Sequence, residues 1–264
     1  MPPIHRVLAP VDLSECSVRM VPFAHAVAAK CGAELILLHV EKDRELTKVS
    51  ADPFRELNIR RVLYEGDPAD IIIGSAKSEK IDLIVMPTRG YGAFRRFLIG
   101  SVTAKVLHDV ECPVLTGAHL EEQEPVKDAQ FHAVLCAIDL GPQSSEALKW
   151  ASELAADWRA RLDVAHALPV VGRGRSVIPS NPWRAEVANI TRQGVDRAIS
   201  AAGAVAAGIY VEEGEPAKTV CSLAKKLGSG LLVIGRGLRD PMGGRLAAQA
   251  YSIVRQSPCP VISI

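Results

Sequence analysis

The chain alternates short apolar runs with longer segments of helical periodicity. The apolar runs of the first half contain almost no polar positions and are predicted as strands, at residues 7–11, 35–40, 61–64, 81–86 and 114–116. Helical spacing is found between them, at residues 17–30, 67–80 and 101–109, with Gly32 after the first helix and Asp67 and Pro68 at the start of the second. Apolar strands separated by helices predict a parallel sheet that is covered on both faces.

The second half of the chain repeats this order. Its predicted strands lie at residues 134–138, 162–167, 209–212, 231–234 and 261–264, and its helices at 144–161, 183–202, 217–227 and 246–256. Short sequences recur as well: RVLAPVDL at 6–13 resembles AVLCAIDL at 133–140, GDPA at 66–69 returns as GEPA at 214–217, and CPV at 112–114 returns at 259–261. A repeat of this kind indicates two copies of one domain.

The repeat also predicts the domain boundaries. We expect a first domain at residues 1–119, a polar linker with four acidic residues at 120–130, and a second domain at 131–264. Between His166 and Gly214 the second half has 21 residues more than the first half has between His39 and Gly66. We therefore expect the first domain to lack a regular helix at residues 41–60, or to have a turn or two at most. One edge of its sheet would then be open to the other half or to another chain.

Composition excludes several classes of function. The net charge of +1 provides no basic field for nucleic acid, and no apolar run approaches the roughly 18–20 residues of a membrane span. The first residues lack the apolar core of a signal peptide, so we expect a cytoplasmic protein. The six cysteines form no CxxC pair and no Cys/His cluster with zinc spacing, so no metal site is predicted.

The candidate chemistry lies in the loop that follows the fourth predicted strand. Residues 86–102 read MPTRGYGAFRRFLIGSV, in which nine residues separate Gly90 from Gly100 and Ser101. Glycines allow backbone N–H groups to approach phosphate oxygens, and Ser101 would begin a helix whose free N–H groups favour an anion. The site would lie at the carboxyl ends of the first and fourth strands, where doubly wound sheets bind ligands.

This loop and the elements around it resemble the universal stress protein family, whose nucleotide loop reads G-x2-G-x9-G-[S/T]. The resemblance covers the whole chain, as two tandem family domains. It implies an α/β fold with two doubly wound, Rossmann-like sheets of the adenine-nucleotide α-hydrolase-like type. It further implies that the two domains pair as an internal pseudo-dimer, joined along their last strands.

The resemblance also implies a set of nucleotide-binding residues. In nucleotide-binding members of the family, the aspartate after the first strand and the valine after the second hold the nucleoside, and here these are Asp12 and Val40. The other implied residues lie in the loop: Met86, Pro87, Arg89, Gly90, Gly100, Ser101 and Val102.

Two departures from the family pattern change the expectation for each half. Pro87 replaces the first glycine of the motif, which removes one backbone donor and stiffens the entrance of the loop. In the second half the loop begins with Gly235, Arg236 and Gly237, but alanines at 247 and 248 replace the glycine and the serine. We expect a ligand mainly in the first half. Asp139 and the three loop residues would form a weak second site, with Arg236 attracting an anion.

Some of these side chains also have purely structural interpretations. Asp12 and Asp139 could simply cap their loops, and His39 and His166 are read as structural because no serine or cysteine motif accompanies them. Cys112 and Cys259 precede proline and are read as packing residues.

The resemblance implies a stress-response module that binds ATP or a related nucleotide, with magnesium entering only with the nucleotide. We expect no dedicated metabolic reaction and at most slow ATP hydrolysis, because the loop has no Walker-type lysine and no second carboxylate adjoins Asp12. The expected partners are a nucleotide, an unidentified protein and a second copy of the chain; nucleic acid and membranes are not expected.

Two alternatives remain open. The first is a nucleotide-free interaction or scaffold module with vestigial loops, which Pro87 and the alanines at 247 and 248 favour. The second is an enzyme of a related fold that activates its substrate through AMP. Such an enzyme would need a Ser-Gly-Gly loop after the first strand, where this chain has DLSEC.

Overall fold

The computed structural model describes residues 4–41, 59–89, 99–117, 131–168, 182–237 and 248–264. Its strands are β1 (Arg6–Val11), β2 (Glu34–Glu41), β3 (Arg60–Glu65), β4 (Leu83–Met86), β5 (Val114–Thr116), β6 (Ala133–Ala137), β7 (Arg161–Leu168), β8 (Gly208–Glu213), β9 (Leu231–Ile234) and β10 (Val261–Ser263). Its helices are α1 (Glu15–Cys31), α2 (Pro68–Ser78), α3 (Ser101–Asp109), α4 (Ser144–Trp158), α5 (Pro182–Ala201), α6 (Pro216–Lys226) and α7 (Ala248–Gln256).

Every predicted strand and helix is present, and most boundary differences have a local cause. The strand expected at 81–86 begins at Leu83, because the N–H of Ile81 still bonds to the carbonyl of Ala76 at the end of α2 (2.9 Å). The helix expected at 144–161 ends at Trp158. There Arg159 adopts a left-handed φ of 53° and donates its N–H to the last carbonyls of the helix. A non-glycine residue in this conformation is uncommon, so the sequence carries no signal for the stop.

The ten strands form one continuous sheet in the order β3-β2-β1-β4-β5-β10-β9-β6-β7-β8. Strands pair in parallel within each half, and the two halves meet where β5 and β10 pair antiparallel. In that pair Val114 lies opposite Ser263 and Thr116 lies opposite Val261. The expected internal pseudo-dimer, joined along the last strands, is therefore confirmed.

Two apolar layers cover the sheet, and each runs through both halves. One layer packs α1, α4 and α5 against the sheet, and the other packs α2, α3, α6 and α7. In β1, Val7 faces the first layer and Leu8 the second, as expected for a strand buried on both sides. The first layer is continuous across the halves because Phe131 stacks on Trp158 of α4 (4.6 Å between ring centroids) and meets Phe23 of α1 edge-on (6.1 Å).

The two outer strands of the sheet differ in exposure. Strand β8, next to α5, is mostly half-buried, whereas β3 is mostly exposed, with Leu63 52% and Tyr64 43% accessible. The helix that we expect to be missing from the first half falls at residues 42–58, which lie outside the described residues, so that expectation stays a prediction. No helix within the described ranges is long and apolar enough to cross a membrane.

Candidate functional site

The fold brings two loops of the first half together. Strands β1 and β4 are parallel neighbours, and the strand order reverses direction between them. Their carboxyl ends therefore meet at one edge of the sheet, at the position where ligands bind in open α/β sheets. Asp12 follows β1, Pro87 follows β4, and Val40 lies near the carboxyl end of the adjacent β2. We call this edge, with the N-terminus of α3, the first-half site.

Hydrogen bonds tie the two ends of the candidate phosphate loop to each other. The N–H of Gly100 donates to the carbonyl of Thr88 (2.8 Å), and the hydroxyl of Thr103 donates to the carbonyl of Pro87 (3.0 Å). These bonds hold the start of α3 against the end of β4. Gly90, expected to bind phosphate, lies at 90–98, outside the described residues. The sequence did not indicate this role of Thr103. Comparison of the copies shows a difference at this position, because the equivalent residue of the second half, Ala250, has no hydroxyl.

Among the described residues, no side chain caps the N-terminus of α3. Gly100 is the N-cap residue and makes no side-chain hydrogen bond to the helix. The amides of the first helical turn, including those of Ser101 and Val102, have no intrahelical acceptor by the geometry of any α-helix. Gly100 has a φ of −61°, which any residue adopts, so its advantage is the lack of a side chain beside these amides. This arrangement can accept an anion.

The loops after β1 and β6 have the same backbone form. Asp12 accepts a hydrogen bond from the N–H of Ser14 (3.0 Å), and Asp139 accepts one from the N–H of Gly141 (2.7 Å). The leucine between them has a left-handed φ in each half, 61° at Leu13 and 62° at Leu140. Both aspartates thus cap their loops, and both remain exposed at the edge of the sheet.

The second aspartate is more fully engaged than the first. One oxygen of Asp139 also accepts the hydroxyl of Ser144 (3.0 Å). A Cβ on Gly141 would lie 2.9 Å from the same oxygen, so the loop closes tightly around this carboxylate.

The two equivalent histidines have a structural role. His39 donates its Nδ1–H to the carbonyl of Val11 (2.7 Å), and His166 donates its Nδ1–H to the carbonyl of Ile138 (2.9 Å). A carbonyl only accepts, so the proton must reside on Nδ1 in both rings. These bonds join the carboxyl ends of neighbouring strands, which agrees with the structural interpretation.

The remaining predicted residues of the first half differ in what they can offer a ligand. Met86 is 3% exposed and packs in the second apolar layer, so only its backbone is available. Val40, Arg89 and Val102 are half-buried, and Ser101 is exposed. The structure thus groups Asp12, Val40 and Ser101 on one edge of the sheet.

The structure corrects the role expected for Arg236. Its side chain is fully buried, and its guanidinium donates to four carbonyls at the C-terminus of α3 in the other half. The acceptors and distances are Leu107 (3.3 Å), Val110 (2.9 Å), Glu111 (3.3 Å) and Cys112 (2.9 Å). A cation is favourable at a helix C-terminus. Arg236 therefore binds the first half of the chain, and its buried side chain does not face an anion in solution.

In the second half, a side chain bridges the loops after β6 and β9, which are equivalent to the two loops of the first-half site. The amide oxygen of Gln143, from the loop after β6, accepts the N–H of Gly237, from the loop after β9 (2.9 Å). The repeat places Cys16 of the first half at the position equivalent to Gln143. Comparison of the two copies alone did not indicate that Gln143 bridges the loops. The N–H of Gly237 is thus already engaged, and α7 begins at Ala248 without a hydroxyl.

The thiols of Cys112, which is half-buried, and of Cys259, which is buried, are poor nucleophiles. Desolvation raises the pKa of Cys112 to about 11, partly opposed by the Arg236 guanidinium, and raises the pKa of Cys259 to about 11, partly opposed by a hydrogen bond with Ser257. These shifts agree with packing roles for the two cysteines. Within the described ranges, no cluster of three or more His, Cys, Asp or Glu side chains could hold a metal ion.

Comparison with known proteins identifies relatives for both halves. The model of the universal stress protein family matches residues 42–116 and 130–264. A universal stress protein of Thermus aquaticus is 31% identical over 132 residues, which cover 41% of this chain and 95% of the Thermus protein.

Solved structures match the chain over nearly its whole length. A universal stress protein of Archaeoglobus fulgidus has a TM-score of 0.67 at 24% identity, covering 98% of this chain and 95% of that one. A Pseudomonas aeruginosa protein of unknown function has a TM-score of 0.69 at 19% identity, covering 99% and 92%. At these identities the similarity establishes a shared fold only.

Proposed function

The chain belongs to the universal stress protein family, and from this premise we propose that it binds ATP or a related nucleotide, mainly through its first half. The observation that carries the proposal is the N-terminus of α3. No side chain in the described part of the chain caps its amides, and it begins with Gly100 and Ser101 at the switch point of the sheet. Polyphosphates are suited to such an end, since N–H groups and the helix dipole both favour negative charge.

The nucleoside would lie between the carboxyl ends of β1 and β2. In this proposal the exposed carboxylate of Asp12 accepts hydrogen bonds from the base or the sugar, and Val40 provides an apolar contact. The phosphates would meet Gly90, Gly100, Ser101 and the backbone near Val102, with Arg89 nearby. Pro87 and Met86 would line the entrance of the loop. Magnesium would be held only through the phosphates.

The proposal includes no metabolic reaction. Histidines 39 and 166 are engaged in backbone hydrogen bonds, and burial suppresses the thiolates of Cys112 and Cys259. Any ATP hydrolysis would be slow, because no lysine accompanies the glycines of the loop.

A second candidate is a protein-interaction or scaffold module that binds no nucleotide. Pro87 favours it, because it removes a backbone donor from the position of the first motif glycine. The second half favours it as well, because Arg236 is buried and Gln143 already bonds to Gly237. We rank this candidate lower, because these features leave the N-terminus of α3 unchanged.

One experiment separates the two candidates. The purified protein is denatured, and the released small molecules are identified by mass spectrometry. A separate, nucleotide-free sample of the wild-type protein is titrated with ATP by calorimetry, with and without magnesium. We expect one nucleotide per chain. If no nucleotide is released and ATP produces no binding heat, the scaffold candidate is correct.

The domain boundaries at 1–119 and 131–264, with a linker at 120–130, remain part of the proposal. Limited proteolysis followed by mass spectrometry tests them, since cleavage should concentrate in the linker. A cytoplasmic location, an unidentified protein partner and a homodimer also remain predictions.

A further inference from the structure

A tyrosine of the second half contacts the phosphate loop of the first half. The hydroxyl of Tyr251, on α7, accepts a hydrogen bond from the N–H of Ile99 (3.2 Å). Ile99 is buried and directly precedes Gly100, the N-cap of α3. The contact joins residues that are 152 positions apart in the chain. The second half therefore reaches the backbone from which the proposed phosphate site is built.

The second half also holds the opposite end of the same helix. The guanidinium of Arg236 donates to the carbonyls that follow α3, including those of Val110 and Cys112. Helix α3 is thus fixed at its start by a hydroxyl and at its end by a cation, both from the other half. A helix held at both ends keeps its N-terminal amides in one orientation, which is the condition for preorganised binding.

This support is not reciprocal. In the repeat, the first half has Ala104 where the second half has Tyr251, and Thr88 where it has Arg236. Alanine has no polar group to offer, and threonine has neither the length nor the charge of arginine. The two residues that support α3 therefore have no counterparts of the same chemistry supporting α7.

We propose that Tyr251 is a positioning residue for the phosphates of a nucleoside triphosphate bound at the first-half site. This inference rests on the proposed function. The hydrogen bonds from Ile99 to Tyr251 and from Gly100 to Thr88 orient two successive peptide groups. The amides that follow, at Ser101 and Val102, then point out of the helix end towards the phosphates. Without the tyrosine hydroxyl, this turn loses the anchor that the second half provides, and the bonds to Thr88 and Pro87 remain.

The test uses the full chain with Tyr251→Phe, which keeps the ring and removes only the hydroxyl. Tyr210→Phe is the matched control, since Tyr210 lies on β8 at the far edge of the second half. ATP and adenosine are titrated separately by calorimetry, and amide hydrogen exchange of Ile99 is followed in the nucleotide-free proteins. For Tyr251→Phe we expect ATP affinity to fall about fivefold and Ile99 exchange to accelerate about fivefold, as for one neutral hydrogen bond, with adenosine affinity unchanged.

The outcomes distinguish the inference from the proposed function. If the wild type binds ATP and Tyr251→Phe binds it equally well, the positioning role is overturned and the proposed function stands. The positioning role is also overturned if Tyr251→Phe weakens ATP and adenosine alike, or if Tyr210→Phe has the same effect. If the wild type binds neither ligand, the proposed function fails and the role of Tyr251 fails with it.

Discussion

The loops after β4 and after β9 begin from equivalent backbone positions and use their polar groups in opposite ways. In the first half, the loop leads to Gly100 and Ser101, and the N-cap residue Gly100 makes no side-chain hydrogen bond to α3. In the second half, Arg236 is turned into the protein interior, where it binds the other half, and the N–H of Gly237 is taken by Gln143. The first half keeps N–H donors at the start of a helix, whereas the second half uses the Arg236 guanidinium to hold the two halves together.

The features that the copies share belong to the fold. The left-handed leucines at 13 and 140 have nearly the same φ, and the histidines at 39 and 166 make the same backbone hydrogen bond. These features persist although the two loops have diverged. They therefore maintain the carboxyl edge of the sheet in both halves, whether or not a ligand is present.

The largest expected effect comes from removing the buried cation of the second half. Arg236→Met would leave four carbonyls in and just beyond the last turn of α3 without their guanidinium donor. We expect the free energy of unfolding to fall by about 3 kcal/mol, measured by urea denaturation at pH 7.

Arg192→Met is the control for that experiment. Arg192 is exposed on α5, pairs with Asp196 at 3.6 Å and donates to the carbonyl of Ile209 (3.1 Å); because water can replace these exposed contacts, its loss should cost about 1 kcal/mol. Equal effects of the two substitutions would show that burial of Arg236 does not hold the halves together.

A smaller effect is expected at the glycines of the two loops. Gly100→Val would place a branched side chain beside the free amides of α3, and we expect ATP affinity to fall at least thirtyfold, about 2 kcal/mol. Gly235→Val should leave ATP affinity unchanged. A Cβ at 235 would make only ordinary contacts with Gln143, at 3.5 and 3.6 Å. Calorimetry measures both, with thermal unfolding as the check on folding. A loss of affinity in both variants would mean that the second-half loop also binds nucleotide.

The smallest expected effect is the pH dependence of stability that Cys112 and Cys259 cause. It should be the same for both cysteines, one in each half. Burial raises the pKa of both Cys112 and Cys259 from the ordinary thiol value of 9.0 to about 11. The folded state therefore keeps these protons after the unfolded chain has lost them. The stability that they contribute is intact below about pH 9 and is lost as the pH rises towards about 11.

Alanine variants at these two cysteines measure that loss. Between pH 8 and pH 10, wild-type stability should fall by about 1 kcal/mol more than that of Cys112→Ala or Cys259→Ala. Urea denaturation at the two pH values tests this. A pH dependence identical in wild type and variants would show that neither thiol titrates differently on unfolding.

Much of the fold could be predicted because its signals are local. The helix at Ser101–Asp109 and the strands at Val114–Thr116 and Leu231–Ile234 have their expected boundaries. Gly32 ends α1 with a φ of 65°, and Asp67 caps α2 with its side chain, as the residue types indicate. The end of α4 was missed, because Arg159 adopts a conformation that its residue type does not favour.

The site was predictable only in part. The loop sequence indicated Ser101 and the family resemblance indicated Asp12 and Val40, and the strand order places all three at one edge of the sheet. The roles of Gln143, Thr103 and Tyr251 were not, because each depends on a partner in another loop or in the other half. Comparison of the copies shows that Tyr251 corresponds to Ala104, but it does not identify the group that the tyrosine hydroxyl contacts.

The number of domains, the order of the elements and the position of the candidate loop follow from the sequence. They do so because apolar periodicity and helix caps act over a few residues. Which polar groups point outward and which point inward depends on contacts between distant parts of the chain. Arg236 meets Cys112 across 124 positions and Tyr251 meets Ile99 across 152. Such contacts arise only when β5 and β10 join the halves, so the division of roles between the two copies is a property of the assembled sheet.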